Sequence, residues 1–156
     1  MQSAWRIVKL QHSKAAFSGE GARRFGGRWN SIGKLAIYLA EYQSTAALEV
    51  LVHHYPLMPQ QKYHCFRVEW SEKLMEKVDD SRLPKNWRAN PPRCESQDLG
   101  DHWLENGTAP VLSVPSAIIP SERNFILNPS HSDFKRIKIH PPKLFVFDPR
   151  LLGKVK

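Results

Sequence analysis

The stretch QKYHCFRVEW, residues 61–70, shows the clearest secondary-structure pattern in this chain. His64, Phe66, Val68 and Trp70 lie on one alternation, and the residues between them lie on the other. A period of two predicts a β-strand, because successive side chains of a strand point to opposite faces of its sheet. Similar short patterns predict five more strands, at 4–10, 35–40, 111–119, 124–128 and 144–147.

Helical patterns fall between these strands without regular alternation. A helix is predicted from Ser44 or Thr45, either of which can cap it, to about residue 55, where Pro56 ends it. Residues 71–78 and 95–105 predict two further helices, and three prolines within 84–92 predict a loop. Since strands and helices do not alternate regularly, we expect an α+β fold, as one domain over residues 1–156.

The charge of the chain favours anionic partners. Lys and Arg outnumber Asp and Glu by 23 to 15, which gives a net charge of +8. Residues 134–156 hold seven of these basic residues against a single acid, Asp148. Such a basic end is commonly a solvated surface. The alternative is a nucleic-acid-binding module that uses this segment together with exposed aromatic residues.

Several classes of protein are not indicated. The chain shows no secretory leader and no apolar run of the roughly 18 residues that cross a bilayer. With Cys65 and Cys94 as its two cysteines, we expect a cytoplasmic protein with reduced thiols. The His and Cys spacings fit no zinc motif, so no metal is expected, and neither a P-loop nor a dinucleotide fingerprint is present.

Three polar residues stand in short apolar surroundings: Arg28 in GGRWN, Glu49 in ALEVLVH and Ser116 in VPSAIIP. A guanidinium next to glycines suits phosphate oxygens, since backbone amides can join it. Ser116 follows a proline that cannot continue a central strand, which predicts a bend near the sheet edge. Each residue also has a purely structural interpretation: an ion pair for Arg28 and Glu49, and a turn for Ser116.

The position of Glu49 within its helix suggests a chemical role. Its neighbours at three and four positions are Thr45, Ala46, Val52 and His53, so the carboxylate is expected on a largely apolar stripe. A carboxylate in such a wall can hydrogen-bond a ribose hydroxyl and stabilise positive charge on a glycosidic carbon. A leaving group that is already cationic, such as the nicotinamide of NAD, requires no proton donor.

These residues belong to a series of motifs by which the chain resembles the RES family, which is named for its Arg, Glu and Ser. The family's members are toxins of bacterial toxin–antitoxin pairs. In chain order, the motifs are WRIV (5–8), FSGEGARRFGGRWN (17–30), IYLA (37–40), ALEVLVH (47–53), GDHWL (100–104), VPS (114–116) and ERNFILNP (122–129).

The resemblance implies an ADP-ribosyltransferase-like fold with twisted, mostly antiparallel sheets and flanking helices. It implies that NAD is the substrate, with no further cofactor, and that the nicotinamide–ribose bond is cleaved by hydrolysis or phosphorolysis. Transfer of ADP-ribose to a protein is the alternative, and a binding module without turnover is another. The resemblance also implies an Xre-type antitoxin with a helix-turn-helix part, through which any contact with DNA would be indirect.

The predicted site follows from these implications. Arg28, Glu49 and Ser116 are the predicted catalytic residues. We expect Arg28, aided by Arg6, to bind the phosphates of NAD. Tyr38 or Trp29 is expected to lie against the nicotinamide, and Ser116 to orient the ribose or a phosphate.

Overall fold

A computed structural model describes residues 1–57 and 60–152 of the chain. In this part, eight strands form one sheet: β1 (Gln2–Lys9), β2 (Ile37–Ala40), β3 (Tyr63–Trp70), β4 (Met75–Lys77), β5 (Val111–Pro115), β6 (Arg123–Leu127), β7 (Lys138–Ile139) and β8 (Lys143–Phe145). Three α-helices accompany them: α1 (Glu20–Phe25), α2 (Gln43–His54) and α3 (Cys94–Asn106). The last residues of the basic segment, 153–156, lie outside the described part.

The sheet order is β4-β5-β6-β2-β1-β3-β7, with β8 also paired to β3. Every pairing is antiparallel except that of β4 with β5, which is parallel. The predicted α+β class with a mostly antiparallel sheet and flanking helices is therefore confirmed.

Alternate side chains of β3 pack on opposite faces of the sheet, in two different cores. Tyr63 and Cys65 pack in the cluster that includes Ala46 and Val50 of α2. Val68 and Trp70, on the other alternation, pack in the core on the opposite face, which also contains Phe125 and Leu127 of β6. A third cluster, on the α2 face, joins Trp103 of α3 to Val114 of β5 and Ile126 of β6. The prediction for residues 61–70 holds from Tyr63 onward.

The ladder between β1 and β2 is short. Trp5 with Ala40 is the one residue pair formed between these strands in the described chain, whereas β1 and β3 pair along eight residues. Next to this pair, the Arg6 side chain crosses to β2, where Nη1 donates a 2.9 Å hydrogen bond to the carbonyl oxygen of Tyr38. A side chain thus joins the two strands where backbone pairing has stopped.

Two local predictions are wrong. Residues 71–78 form a short 3-10 turn and then strand β4 instead of a helix, because Met75–Lys77 pairs in parallel with β5. Helix α2 begins at Gln43 with Tyr42 at its N-cap, so neither Ser44 nor Thr45 caps it. The Thr45 hydroxyl instead donates to the carboxylate of Glu122. Tertiary contacts override local propensity at both places.

The glycine-rich region contains a helix that its composition did not predict. Gly19 and Gly26 have φ values of +78° and +70°, a region that side-chain-bearing residues rarely adopt, and they bracket α1. The chain then runs from Gly26 into the loop that carries Arg28. The glycines therefore end the helix and set the direction of this loop.

Candidate functional site

The half-buried side chain of Arg28 lies against the segment that contains Trp87. Nη1 of Arg28 donates hydrogen bonds of 2.8 Å to the carbonyl oxygen of Trp87 and 2.7 Å to that of Ala89. Burial lowers the pKa of Arg28, and the negative charge of Glu49 acts in the opposite direction. The structure thus brings Arg28 and Glu49 into one electrostatic environment, although they are 21 positions apart in the sequence.

Helix α3 fixes the backbone of the Arg28 loop. Gln97 Nε2 donates a 3.0 Å hydrogen bond to the carbonyl oxygen of Gly27, and Ser96 Oγ donates one of 2.8 Å to that of Arg28. Asp101 Oδ1 accepts a 3.0 Å hydrogen bond from the backbone N–H of Ser31. Three α3 side chains therefore hold main-chain atoms on both sides of the arginine, which sets the position from which its guanidinium projects.

Tyr38 supports the same loop from β2. Its hydroxyl donates a 2.6 Å hydrogen bond to Asn30 Oδ1 and accepts one of 3.1 Å from the backbone N–H of Trp29. Burial raises the pKa of Tyr38, so this phenol stays protonated and able to donate. A Cβ on Gly27 would lie 2.6 Å from the Tyr38 hydroxyl oxygen, so the contact requires a glycine at that position.

The two aromatic residues predicted to contact nicotinamide lie in different surroundings. The Trp29 side chain is in the core, 2% exposed, and its ring stacks on Trp87 with centroids 6.1 Å apart. The structure therefore uses Trp29 for packing and offers no open face of its ring to a ligand. Tyr38 is only partly buried. Of the two, Tyr38 stays a candidate for a contact with substrate.

Glu49 lies midway along α2, and its side chain is 30% exposed. Oε1 accepts a 2.9 Å hydrogen bond from Asn124 Nδ2 on β6, and Oε2 lies 3.6 Å from His53 Nε2. The Glu49 carboxylate raises the pKa of His53, while burial and the charge of Arg28 oppose the rise. The predicted apolar setting is corrected: Val52 and His53 project to solvent, and the carboxylate lies at the boundary between core and surface.

Ser116 is completely buried and caps a turn. Its Oγ accepts hydrogen bonds from the backbone N–H groups of Ile118 and Ile119, at 3.2 and 3.1 Å. The predicted bend is present: β5 ends at Pro115, and the turn that Ser116 caps follows directly. Pro115 lies beyond Ser113, the last residue of β5 that pairs with β4. The oxygen is engaged by the turn, so the structure supports the structural interpretation of Ser116.

Arg6 is placed by two backbone carbonyls. Nε donates a 2.8 Å hydrogen bond to the carbonyl oxygen of Ala16, in addition to the bond from Nη1 to Tyr38. Burial lowers the pKa of Arg6 to about 10, which still leaves the group protonated near neutral pH. Its alternation partner Ala4 packs in the core on the face of the sheet opposite α2, so the Arg6 side chain leaves β1 on that face.

Comparison with known proteins identifies the family. The RES domain matches residues 3–148, nearly the whole chain. This chain belongs to the RES domain family. It is 37% identical to "Toxin Res" of Yersinia enterocolitica over 94% of this chain and 97% of that protein. It is 36% identical to "Toxin Res" of Photorhabdus laumondii over 85% of each chain.

A further RES relative carries a more specific name. The chain is 34% identical to the "Prs ADP-ribosylating toxin" of a Sphingobium species, over 97% of this chain and 98% of that protein. That relationship fits the ADP-ribosyltransferase-like fold expected for this RES domain.

Asn124 and His53, which contact Glu49, were not among the predicted residues. Neither was Arg88, which lies between the two residues whose carbonyls accept from Arg28. Two of them had a signal in the sequence. Asn124 lies in the ERNFILNP motif, and His53 follows Glu49 by one helical turn. Arg88 lies in the proline-rich stretch 84–92, which has no periodicity, and only the folded chain shows what it contacts.

The described residues of this RES domain hold neither a cluster of metal-ligating side chains nor a membrane-spanning helix. Within 1–57 and 60–152, no group of three or more His, Cys, Asp or Glu side chains is placed to hold a metal ion. The helices of this part are too short or too polar for any of them to span a membrane.

Proposed function

We propose that this RES domain is a bacterial toxin that consumes NAD by breaking its nicotinamide–ribose bond. The observation that carries the proposal is the placement of Glu49, whose carboxylate is held by Asn124 within the electrostatic reach of Arg28. A fixed carboxylate whose charge reaches a half-buried guanidinium suits a substrate that carries a phosphate group and develops positive charge nearby. The relatives named as toxins support the biological role.

In the proposed reaction, the bond between the ribose C1′ and the nicotinamide nitrogen breaks. Its electron pair goes to that nitrogen, so the cationic ring leaves as neutral nicotinamide, and the positive charge passes to the ribose. The Glu49 carboxylate stabilises this charge and holds a ribose hydroxyl. Water then attacks C1′ and loses a proton to give ADP-ribose, or inorganic phosphate attacks to give ADP-ribose phosphorylated at that carbon.

Transfer of ADP-ribose to a protein is the second candidate, and it uses the same bond cleavage with a protein side chain as the acceptor. The specific observation that favours it is the similarity, along almost the whole chain, to the relative named Prs ADP-ribosylating toxin. The Arg28–Glu49 arrangement serves both reactions equally, because it acts before the acceptor attacks.

The toxin role also implies a regulating partner. We infer a cognate antitoxin of the Xre type that blocks the Arg28 side of the molecule, carries a helix-turn-helix part and supplies any contact with DNA. The cytoplasm, where NAD is abundant, is the proposed place of action.

The experiment that tests the function incubates purified protein with NAD, with and without phosphate, and identifies the products by mass. We expect free nicotinamide and either ADP-ribose or its phosphorylated form. Glu49→Gln should fold normally and lose NAD turnover by about 100-fold or more, since it removes the stabilising charge. The matched control Glu72→Gln, which changes an exposed glutamate in the 3-10 turn, should behave like the wild type.

The outcomes separate the candidates. Equal turnover by Glu49→Gln and wild type would remove Glu49 from the mechanism. If nicotinamide release requires an added protein that becomes ADP-ribosylated, transfer replaces hydrolysis and phosphorolysis. Absence of NAD turnover together with salt-sensitive nucleic-acid binding that survives Glu49→Gln would overturn the enzymatic proposal.

A further inference from the structure

The segment around Arg88 connects two parts of the site that are far apart in the sequence. The carbonyls that accept hydrogen bonds from Arg28 belong to the residues directly before and after Arg88. Arg88 itself donates from Nε to the carbonyl oxygen of Ala117, at 2.6 Å, and from Nη2 to that of Ile118, at 3.3 Å. Both carbonyls lie in the turn that Ser116 caps.

The charges of the two arginines act on each other, and neither guanidinium is directly paired with an acid in the part of the chain that the structure describes. Among the described residues, neither the Arg28 nor the Arg88 guanidinium forms an ion pair with a carboxylate. The positive charge of Arg88 contributes to lowering the pKa of Arg28, so each guanidinium lies in the field of the other. Two neighbouring cations without a paired acid favour the binding of an anion between them.

We propose that Arg88 is a second arginine of the anion site and that, together with Arg28, it binds the pyrophosphate of the dinucleotide. This inference rests on the proposed function, since the pyrophosphate is that of NAD. The Arg88 side chain is exposed, and its Nη1 forms no hydrogen bond within the described chain, so donors remain available to a ligand. The Ala117 and Ile118 carbonyls hold the guanidinium in one orientation, which reduces the entropy lost on binding.

Residues 87–89 also affect how a ligand can reach Arg28. The bonds from Arg28 to the Trp87 and Ala89 carbonyls both come from Nη1 of its guanidinium. Binding of the pyrophosphate therefore requires residues 87–89 to shift or to share Arg28 with the phosphates.

The test measures binding of ADP and of adenosine to the full chain by calorimetry, because neither compound has a nicotinamide–ribose bond to cleave. Arg88→Gln should weaken ADP binding by about 10- to 100-fold, the effect of losing charged hydrogen bonds, and leave adenosine binding unchanged. Arg88→Lys should give an intermediate loss, since a point charge remains without the planar fork. The matched control Arg82→Gln, at an exposed arginine paired with Asp79, should bind ADP like the wild type.

Wild-type ADP affinity in Arg88→Gln would overturn the proposal, as would an equal loss for ADP and adenosine. The proposal is also overturned if Arg88→Gln alters only the response of NAD turnover to inorganic phosphate, because the residue then binds the acceptor. If Arg88→Gln fails to fold, Arg88→Lys decides by the same ADP comparison.

NAD turnover that is insensitive to Arg88→Gln rejects this inference alone. ADP binding that depends on Arg88 in a protein without NAD turnover rejects only the proposed function.

Discussion

Asn124 Nδ2 donates a 2.9 Å hydrogen bond to Glu49 Oε1, and it joins strand β6 to the middle of helix α2 across 75 positions of sequence. The other side-chain atom of this amide, Asn124 Oδ1, is buried without a partner among the described residues. The amide is therefore oriented by the carboxylate alone. This geometry makes Asn124 a positioning residue for Glu49.

Replacing Asn124 should separate positioning from folding. In Asn124→Ala, Glu49 loses its fixed orientation, and we expect kcat for NAD turnover to fall by about tenfold or more, with a smaller change in KM. In Asn124→Asp, the new carboxyl group can replace the amide as donor only when it is protonated. Activity of that variant should therefore be highest at acidic pH and decrease as pH rises.

The measurement is the pH profile of kcat for the wild type and both variants, with thermal unfolding as a check on the fold. A merely structural asparagine would lower stability in both variants and leave the shape of the pH profile unchanged. That result would contradict a positioning role.

The Tyr38 hydroxyl should contribute measurably to the stability of the Arg28 loop. Tyr38→Phe leaves the Trp29 N–H and Asn30 Oδ1 without their partner, which should cost about 1–3 kcal/mol in the free energy of unfolding. Gly27→Ala should also destabilise, because its Cβ would lie 2.6 Å from the Tyr38 oxygen. The double variant should lose less than the sum, since Tyr38→Phe removes one of the clashing atoms.

Denaturant unfolding of the two single variants and the double variant measures this coupling. Tyr42→Phe, at an exposed tyrosine, is the control and should unfold like the wild type. Strict additivity would show that the two residues are not coupled through their contact.

Gly100, the one glycine of α3, should be very hard to replace. A Cβ at this position would lie 1.7 Å from the backbone oxygen of Trp29, so Gly100→Ala must push the helix and the Arg28 loop apart. We expect a loss of about 3 kcal/mol or more in the free energy of unfolding, together with a large loss of activity. Gly21→Ala, in α1, meets nothing within 4 Å and should be neutral or stabilising by about 0.5–1 kcal/mol. Equal stability of the two variants, measured by denaturant unfolding, would contradict close packing at Gly100.

His53 should report the presence of the Glu49 charge. Its pKa is raised above the ordinary value of 6.5, first because of its interaction with the Glu49 carboxylate. NMR titration should show that this pKa falls in Glu49→Gln, while that of His54, which burial lowers, stays unchanged. An unaltered His53 pKa would show that the two side chains do not interact in solution.

The same shift sets the sign of a small effect on stability. The pKa of His53 is higher in the folded protein than in the unfolded chain, so the interaction with Glu49 stabilises the fold. This stabilisation is fully present at a pH below the unfolded-state pKa of His53. It is lost as the pH rises through the folded-state pKa. Because the His53 side chain is 70% exposed, added salt should weaken the effect.

The sequence predicted those features whose cause is local. Alternation identified β3, and Pro56 correctly marked the end of α2. Strand β4 was missed because its three residues are too few to show a period, and its partner β5 begins about 35 positions later. The surroundings of Glu49 depended on Asn124, a contact that no helical or strand period encodes.

Site prediction had the same limit. Arg28 and Glu49 stand out because polar groups in apolar surroundings need a reason, and the fold brings them near each other. The same argument selected Ser116, whose oxygen is satisfied by its own turn. Local sequence does not distinguish a buried hydroxyl that serves a ligand from one that serves the backbone, because both need the same residue type in the same setting.

The short ladder between β1 and β2 affects how the sheet can move. In a continuous ladder, repeated backbone hydrogen bonds set the angle between neighbouring strands. With one residue pair between β1 and β2, the hydrogen bond from Arg6 to the Tyr38 carbonyl adds a second polar link between these strands. We therefore expect that loss of the Arg6 side chain would leave the half of the sheet that carries β6 and β2 less firmly attached to the half that carries β1 and β3.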